Sequence, residues 1–288
     1  MKAEAECYLC LLSQVLRTAV VLGLSDQATR EMTRQACAFL AATDFDRTPP
    51  EISEDLYSLI AGFSRDPDPY KKLKEEHIQR ALELYSGLKN MAQLAPDPLR
   101  AALEISLAGN VIDFGANSGE DWLLDGRFLQ SQPLAIDDYQ LLRADLDRAE
   151  TIVFLGDNAG ETVFDRLFIE FSGRRMIYAV REKPIINDAT LEEGRASGLQ
   201  LVAELISSGC RAPGTVYEQC WPKFQGLLRQ ADLIISKGQG NFECLEQLRG
   251  PFYFLLKAKC QVVARYLDVS QGSLVIMRSK NFAPCLQV

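Results

Sequence analysis

A chain of 288 residues, 47% apolar and 24% charged, can form one large domain or two smaller ones and has the balance of a globular protein rather than a disordered one. Its formal net charge of −8 lacks the basic excess that nucleic acid or an anionic membrane surface demands, so neither is an expected partner. No run approaches the ~18 apolar residues of a membrane-spanning helix. The single histidine, His77, sits in the polar stretch YKKLKEEHIQRALEL and is expected on a solvated helix face, which disfavours a Ser-His-Asp hydrolase and a histidine-rich zinc site.

Residues 1–110 read as helical. The opening MKAEAECYLCLLSQVLRTAVVLGLSD looks superficially like a secretion signal, but Glu4, Glu6, Ser13-Gln14 and Arg17 interrupt it and favour an amphipathic helix. Ser25 or Asp26 is placed to cap QATREMTRQACAFLAAT. PPEISEDLYSLIAGFS begins on prolines and offers Ser53 as a capping-box residue. A long amphipathic helix follows in DPDPYKKLKEEHIQRALELYSGLKNMAQL, and another in DPLRAALEISLAGNVIDFG. From about residue 134 the pattern changes: TIVFLG, RMIYAV, LQLVAEL, DLIISKG, FYFLLK and SLVIM are short apolar runs separated by helical stretches. Such alternation predicts a mostly parallel α/β sheet whose strands are buried on both faces. Eight scattered cysteines do not resemble a secreted disulfide framework, so a cytoplasmic location is expected.

In open α/β sheets ligands bind beyond the carboxyl ends of the strands, and here those ends are polar. The first run releases Asp157, Asn158 and Glu161; the second leads through Arg181-Glu182-Lys183 to Asn187 and Asp188. DLIISKGQGNFE provides Lys237, Gly238, Gly240, Asn241 and Glu243, and FYFLLKAKC provides Lys257 and Lys259. Carboxylates and amides suit a hard cation such as Mg²⁺ or Mn²⁺, whereas lysines and glycine-exposed N–H groups suit phosphate oxygens. Together they would form a phosphoryl-transfer or phosphate-hydrolysis site. Each exit alone is as readily a helix cap; four polar exits in one sheet point to a site. GDNAGE does not match the dinucleotide pattern G-x-G-x-x-G, and no G-x-x-x-x-G-K-[ST] loop is present.

FLGDNAGE, INDAT, KGQGNFE and LLKAKC, in that order, resemble the DUF89 family of metal-dependent, ARMT1-like damage-control phosphatases, and CYLC with AGNVIDFG resembles its prokaryotic branch with an N-terminal CxxC. The resemblance covers residue 7 to about 260. It implies an α-helical N-terminal region, residues 1–110, packed on a Rossmann-like three-layer α/β/α domain, residues 111–288. It also implies a divalent metal (Mg²⁺, Mn²⁺, Co²⁺ or Ni²⁺) on Asp157, Asn158 and Asp188. The substrate's phosphate end would be lined by Glu161, by Gln239, Gly240, Asn241, Phe242 and Glu243, and by Lys257, with Lys237 adjacent. Small phosphorylated metabolites, either sugar phosphates or phosphopantetheine-like compounds, are the implied substrates. Two routes remain open: attack by a metal-bound water, or attack by Asp157 to form a phospho-aspartate.

Asn110 and Asp113, at an apparent helix end, either close over the metal from the helical region or make a satisfied interdomain contact. Cys7 and Cys10, three residues apart on one helix face, are read as buried apolar thiols or as a metal or redox pair lacking a second C-x-x-C. Two competing functions remain: an S-adenosylmethionine-dependent methyltransferase, imitated by the strand–glycine–acid order of TIVFLGDNAGE, and a non-catalytic metal or redox sensor built on Cys7 and Cys10.

Overall fold

The computed structural model describes residues 1–44, 46–64, 66–109 and 134–287. Five helices come first: α1 (Ala5–Val21), α2 (Asp26–Ala42), α3 (Pro49–Ala61), α4 (Lys71–Leu94) and α5 (Pro98–Ala108). Helix α1 buries Leu11, Val15, Thr18 and Ala19, the i, i+4, i+7, i+8 stripe of an amphipathic helix. Ser25 caps α2 by accepting from the Ala28 N–H. At α3 the expected cap is wrong. Pro49 and Pro50 lack the N–H groups that a helix start leaves unpaired anyway, so the helix begins on them and Thr48 becomes the cap. Thr48 N–H donates to Glu51 Oε2 at 2.7 Å while Glu51 N–H returns to Thr48 Oγ1 at 3.4 Å. Ser53 is instead buried within the helix, 3.4 Å from Gln14 Oε1. His77 is half-buried rather than solvated.

Among the described residues the sheet has seven strands: β1 (Leu134–Asp137), β2 (Ile152–Leu155), β3 (Met176–Val180), β4 (Ala203–Ser207), β5 (Leu233–Lys237), β6 (Phe252–Lys257) and β7 (Leu274–Arg278). Their order is β1-β7-β6-β5-β2-β3-β4. Strands β2 to β6 are mutually parallel; β7 runs antiparallel to β6, and β1 follows β7. The connecting helices are α6 (Tyr139–Arg148), α7 (Glu161–Ser172), α8 (Leu191–Ala196), α9 (Pro222–Gln230), α10 (Gln239–Leu245) and α11 (Gln261–Leu267). Five of the six predicted runs coincide with strands; LQLVAEL divides into a 3₁₀ turn at Leu199–Leu201 and the start of β4. The four-residue β1 was missed because its half-buried, half-exposed alternation is too short to register.

Helices cover both faces. Val153 and Leu155 of β2 point to the face packed by α1–α3, α9, α10 and α11, while Ile152 and Phe154 point to the face packed by α4–α7. Fully burying each such side chain contributes roughly 1.5–3 kcal/mol. Phe154 stacks on Tyr178 at 5.0 Å, and Phe242 meets Phe254 edge-on at 5.1 Å, which docks α10 on the sheet. Because β3 and β4 extend to one side of β2 and β5 and β6 to the other, chain direction switches between β2 and β5, and a crevice opens at their carboxyl ends. Among the described residues no helix is long and apolar enough to cross a membrane.

Removing the α3 cap has a measurable cost. Thr48→Ala should lower unfolding free energy by about 1 kcal/mol, read by denaturant titration; an unchanged midpoint would contradict the assigned cap.

Candidate active site

Two loops zip together at the crevice. The Ala159 N–H donates to the Asn187 carbonyl and the Ala189 N–H to the Asp157 carbonyl, each at 2.8 Å, so that Asn158 and Asp188 face one another across an antiparallel bridge. This pairing brings Asp157, Asn158 and Asp188 together although they leave different strands. Between β3 and Asp188 the chain turns through Ile186 at φ 45°. A β-branched residue is strained there, and the paired backbone on the Asp188 side holds the turn in place. Gly156 is required by proximity: a Cβ there would lie 2.5 Å from Tyr178 Oη.

Buried Arg181 joins the carboxylates. Its Nε donates to Asp188 Oδ2 at 2.8 Å, its Nη2 is 3.6 Å from Asp157 Oδ1, and its Nη1 donates to Thr215 Oγ1 at 3.1 Å. Thr215 in turn donates to Asn241 Oδ1 at 2.8 Å, and Asn241 Nδ2 bonds the carbonyls of Gly156 and Lys237 at 3.0 and 2.7 Å. Asn241 therefore ties the β2 exit to the β5 exit. The Asn158 amide nitrogen donates to Asp157 Oδ2 at 3.2 Å and also to Glu161 Oε1, which leaves the amide oxygen available as an acceptor.

Lys237 is directed inward. Its ammonium contacts the Ser106 carbonyl at 2.7 Å, Asp165 Oδ1 at 2.9 Å and Glu161 Oε2 at 3.2 Å. Tyr178 and Ser106 hydroxyls complete the Asp165 carboxylate at 2.7 and 2.6 Å. Phe242 is likewise turned into the core, whereas Gln239 bonds Glu243 Oε1 at 2.8 Å and receives the Lys259 N–H at 2.9 Å. Strand alternation puts half-buried Lys257 on the same sheet face as Tyr253 and Leu255. Exposed Lys259, two residues on, is the cation whose field reaches Asp157, Glu161, Asp188 and Glu243.

Burial dominates the electrostatics. It raises Asp157 to about 6, with Asp188 adding repulsion and Lys259, Arg181 and Lys237 opposing, and it raises Glu161 to about 7 against the pull of Lys237. Asp188 is raised by burial and held back by Arg181; Glu243 is pushed up to about 7 by burial. Carboxylates thus outnumber the cations beside them, and without a further positive charge protons make up the difference. This donor set fits a divalent cation. Asp157, Asp188 and the Asn158 oxygen are hard oxygen donors of the kind such a cation takes. Among the described residues no group of three or more His, Cys, Asp or Glu side chains is placed to hold a metal.

Sequence reasoning gave no role to Arg181, Thr215, Asp165 or Ser106. Asp165 had a signal, lying four residues after Glu161 on the same helix face. Asn110 and Asp113 lie outside the described residues. Cys7 is buried, its thiol pushed up to about 11 by burial with Glu243, Cys260 and Cys10 adding, whereas Cys10 is exposed. The pair therefore lies at the α10–Cys260 corner, where Gln239 Nε2 is 3.5 Å from Cys260 Sγ.

A family profile described as the damage-control phosphatase ARMT1-like domain matches residues 3–275. A damage-control phosphatase of Pyrococcus horikoshii is 35% identical over 288 residues, covering 97% of this chain and 99% of its own. Another from Archaeoglobus fulgidus is 30% identical over 287 residues, covering 96% and 98%. The crystal structure of a DUF89 family protein from Pyrococcus horikoshii superposes with a TM-score of 0.90 at 33% identity, covering 97% of this chain and 100% of that one.

Two measurements test the site's geometry. Gly238 has φ 81°, and a Cβ there would fall 2.0 Å from Asp157 Oδ2. Gly238→Ala should therefore destabilise the protein by more than about 1 kcal/mol, seen as a lower melting temperature. Because Asp157 and Glu161 hold protons in the folded state that the unfolded chain has already released, their contribution to stability is full at low pH and lost as pH rises through about 6 and 7. With a chelator present, Glu161→Gln should flatten the fall in melting temperature between about pH 5 and pH 8; parallel curves would refute this.

Proposed function

The chain belongs to the damage-control phosphatase ARMT1-like family, and on that premise we propose that it is a divalent-metal-dependent phosphatase acting on a small phosphorylated metabolite, a sugar phosphate or a phosphopantetheine-like compound. The observation that carries this reading is the zipped pair of strand exits, which gathers Asp157, Asn158 and Asp188 within the field of Lys259.

Asp157, Asn158 and Asp188 would hold the metal, one of Mg²⁺, Mn²⁺, Co²⁺ or Ni²⁺. When bound, it supplies Lewis-acid polarisation of the phosphoryl group and neutralises charge on its oxygens. The chain's own residues supply the rest. Glu161 and Asp157 hold the Asn158 amide nitrogen, which leaves its oxygen available as a donor to the metal. Arg181 holds the Asp188 carboxylate in place and stands beside Asp157. Lys237 pairs with Glu161 and Asp165 and holds both in position. Lys259 is exposed and would meet the incoming phosphate; the first-turn N–H groups of α10 lack intrahelical acceptors and would add to the stabilisation of the phosphoryl oxygens.

Hydrolysis breaks the bond between phosphorus and the alcohol oxygen, and the alcohol leaves protonated. The new P–O bond comes either from water directly or from Asp157, whose acyl phosphate water then cleaves. Trapping a phosphorylated Asp157 would select the second route. We place the activity in the cytoplasm, supported by the free state of every cysteine.

Phosphate release from a panel of phosphorylated metabolites, after chelation and re-addition of each metal, tests the reading. Wild type should turn over with at least one metal, and Asp157→Ala should lose turnover. Lys259→Met should lose roughly 10²-fold in kcat/KM, the scale of one transition-state charge contact. Metal-independent release, or an active Asp157→Ala enzyme, would overturn the assignment.

A further inference from the structure

Among the described residues three basic side chains are buried: Arg181, Lys237 and Lys74. The first two hold carboxylates at the strand ends, whereas Lys74 stands on α4, in the helical front section. Its ammonium lies 2.6 Å from Asp68 Oδ2 and 2.6 Å from Glu193 Oε1. Withdrawing a lysine from water is costly, and a buried ion pair often adds no more stability than apolar side chains of similar volume would. What such a pair does supply is a fixed position for each partner.

Glu193 carries that position to the crevice. Its other oxygen, Oε2, accepts from the Thr190 N–H at 2.9 Å and from Thr190 Oγ1 at 2.5 Å, which closes the capping box of α8. Burial raises Glu193, but the bonds from Lys74 and Thr190 outweigh it and hold the carboxyl below its ordinary value, ionised and able to accept from both. Thr190 follows Ala189 directly. The Ala189 N–H donates to the Asp157 carbonyl at 2.8 Å, and its carbonyl accepts the Arg181 N–H at 2.9 Å. Asp188 therefore stands between two restraints. On one side is the Ile186 turn at φ 45°, a strained conformation that lasts only while its surroundings hold it. On the other is Thr190, held through Glu193 by Lys74. The exposed Lys71–Glu192 pair at 2.8 Å runs alongside and contributes little. Asp68 leads elsewhere: its N–H donates to Asp66 Oδ1 at 2.9 Å and its carbonyl accepts the Lys71 N–H at 3.0 Å.

From this chain of contacts we infer that Lys74 is a positioning residue for the cation site: acting through Glu193 and Thr190, it fixes the Asp188 side of the acidic crevice from the helical region. The inference rests on the reading of Asp157, Asn158 and Asp188 as metal ligands. It separates the two carboxylates that Lys74 meets. Both lower the cost of burying the ammonium, but only Glu193 passes a restraint on to Asp188.

The test measures Mn²⁺ affinity, from the paramagnetic resonance of the free ion, together with melting temperature in wild type, Lys74→Met, Glu193→Gln and Asp68→Asn. Glu193→Gln keeps the side chain's shape but puts an NH₂ group, which cannot accept, at one of the two carboxylate oxygen positions. Lys74→Met and Glu193→Gln should each weaken Mn²⁺ binding by about tenfold, the scale seen when a group supporting a metal ligand is lost. Asp68→Asn should lower the melting temperature and leave the affinity as in wild type. An affinity that falls with melting temperature alike in all the variants, or falls in none, overturns the inference while leaving the metal reading standing. If Lys74→Met does not fold, Glu193→Gln against Asp68→Asn decides. If wild type binds no Mn²⁺, the metal reading fails instead, and amide hydrogen exchange at Ala189 in the metal-free proteins decides the positioning role. Faster exchange in Glu193→Gln than in Asp68→Asn supports it, and equal rates refute it.

Discussion

Several carboxylates are buried where the parallel strands end, and most of the neighbouring structure serves to keep them there. Removing an ion from water costs several kcal/mol even after relaxation. Arg181 offsets this for Asp188 and Asp157, and Lys237 does so for Glu161 and Asp165. Neither cation is free to leave, because each is itself bound on other sides: Arg181 by Thr215, Lys237 by Ser106. Even the bare Cα of Gly238 belongs to this arrangement, since it allows the backbone to approach the Asp157 carboxylate closely. What remains after these pairings is an excess of carboxylates over cations at the crevice, a difference that protons make up when no further positive charge is present.

The parts of this arrangement that follow the strands were legible in the amino-acid order. Apolar runs that end abruptly in Asp-Asn or Lys-Gly announce both a buried strand and a polar function at its exit, and β2, β3, β5 and β6 all lie where those runs fall. Direction was not legible. Lys237 and Lys259 are both lysines near strand ends, yet one is swallowed by Ser106, Asp165 and Glu161 and the other reaches outward. That difference comes from where each stands: Lys237 is the last residue of β5, under α5 and α7, whereas Lys259 lies in the loop beyond β6. Ser106 lies 131 residues from Lys237, and no local pattern connects them. Thr48 was hidden for a smaller reason: the prolines after it define the helix start and move the cap one residue ahead of the run that drew notice. The β1 strand, short and half-exposed, resembled a loop.

The site divides into a buried and an exposed part. Asp157, Asn158 and Asp188 are held by main-chain bonds between loops, and Asn241 locks the next exit to them. Such bonds position groups to within the tolerance that catalysis requires. Lys259 stands on a loop tethered through its backbone to Gln239 and Gln271, with its side chain in water. A rigid acidic floor beneath a solvated lysine suits a ligand that must be captured, held and released.

The helices that open the chain are split between the two faces of the sheet, and this affects the order in which the protein can be completed. Helices α4 and α5 rest on α7, which follows them closely in the chain, whereas α1–α3 share their core with Phe242, Leu245 and Val262. The α-amino group of Met1 meets the Glu243 carbonyl across a separation of 242 residues. During synthesis, at roughly 5–20 residues per second, the first three helices must wait many seconds for the surface that covers them. In that interval their apolar stripes can be covered only by one another, so α1–α3 need enough mutual packing to stay soluble as a nascent bundle. Substitutions in that bundle would then reduce yield in the cell before they changed the melting temperature of the finished protein.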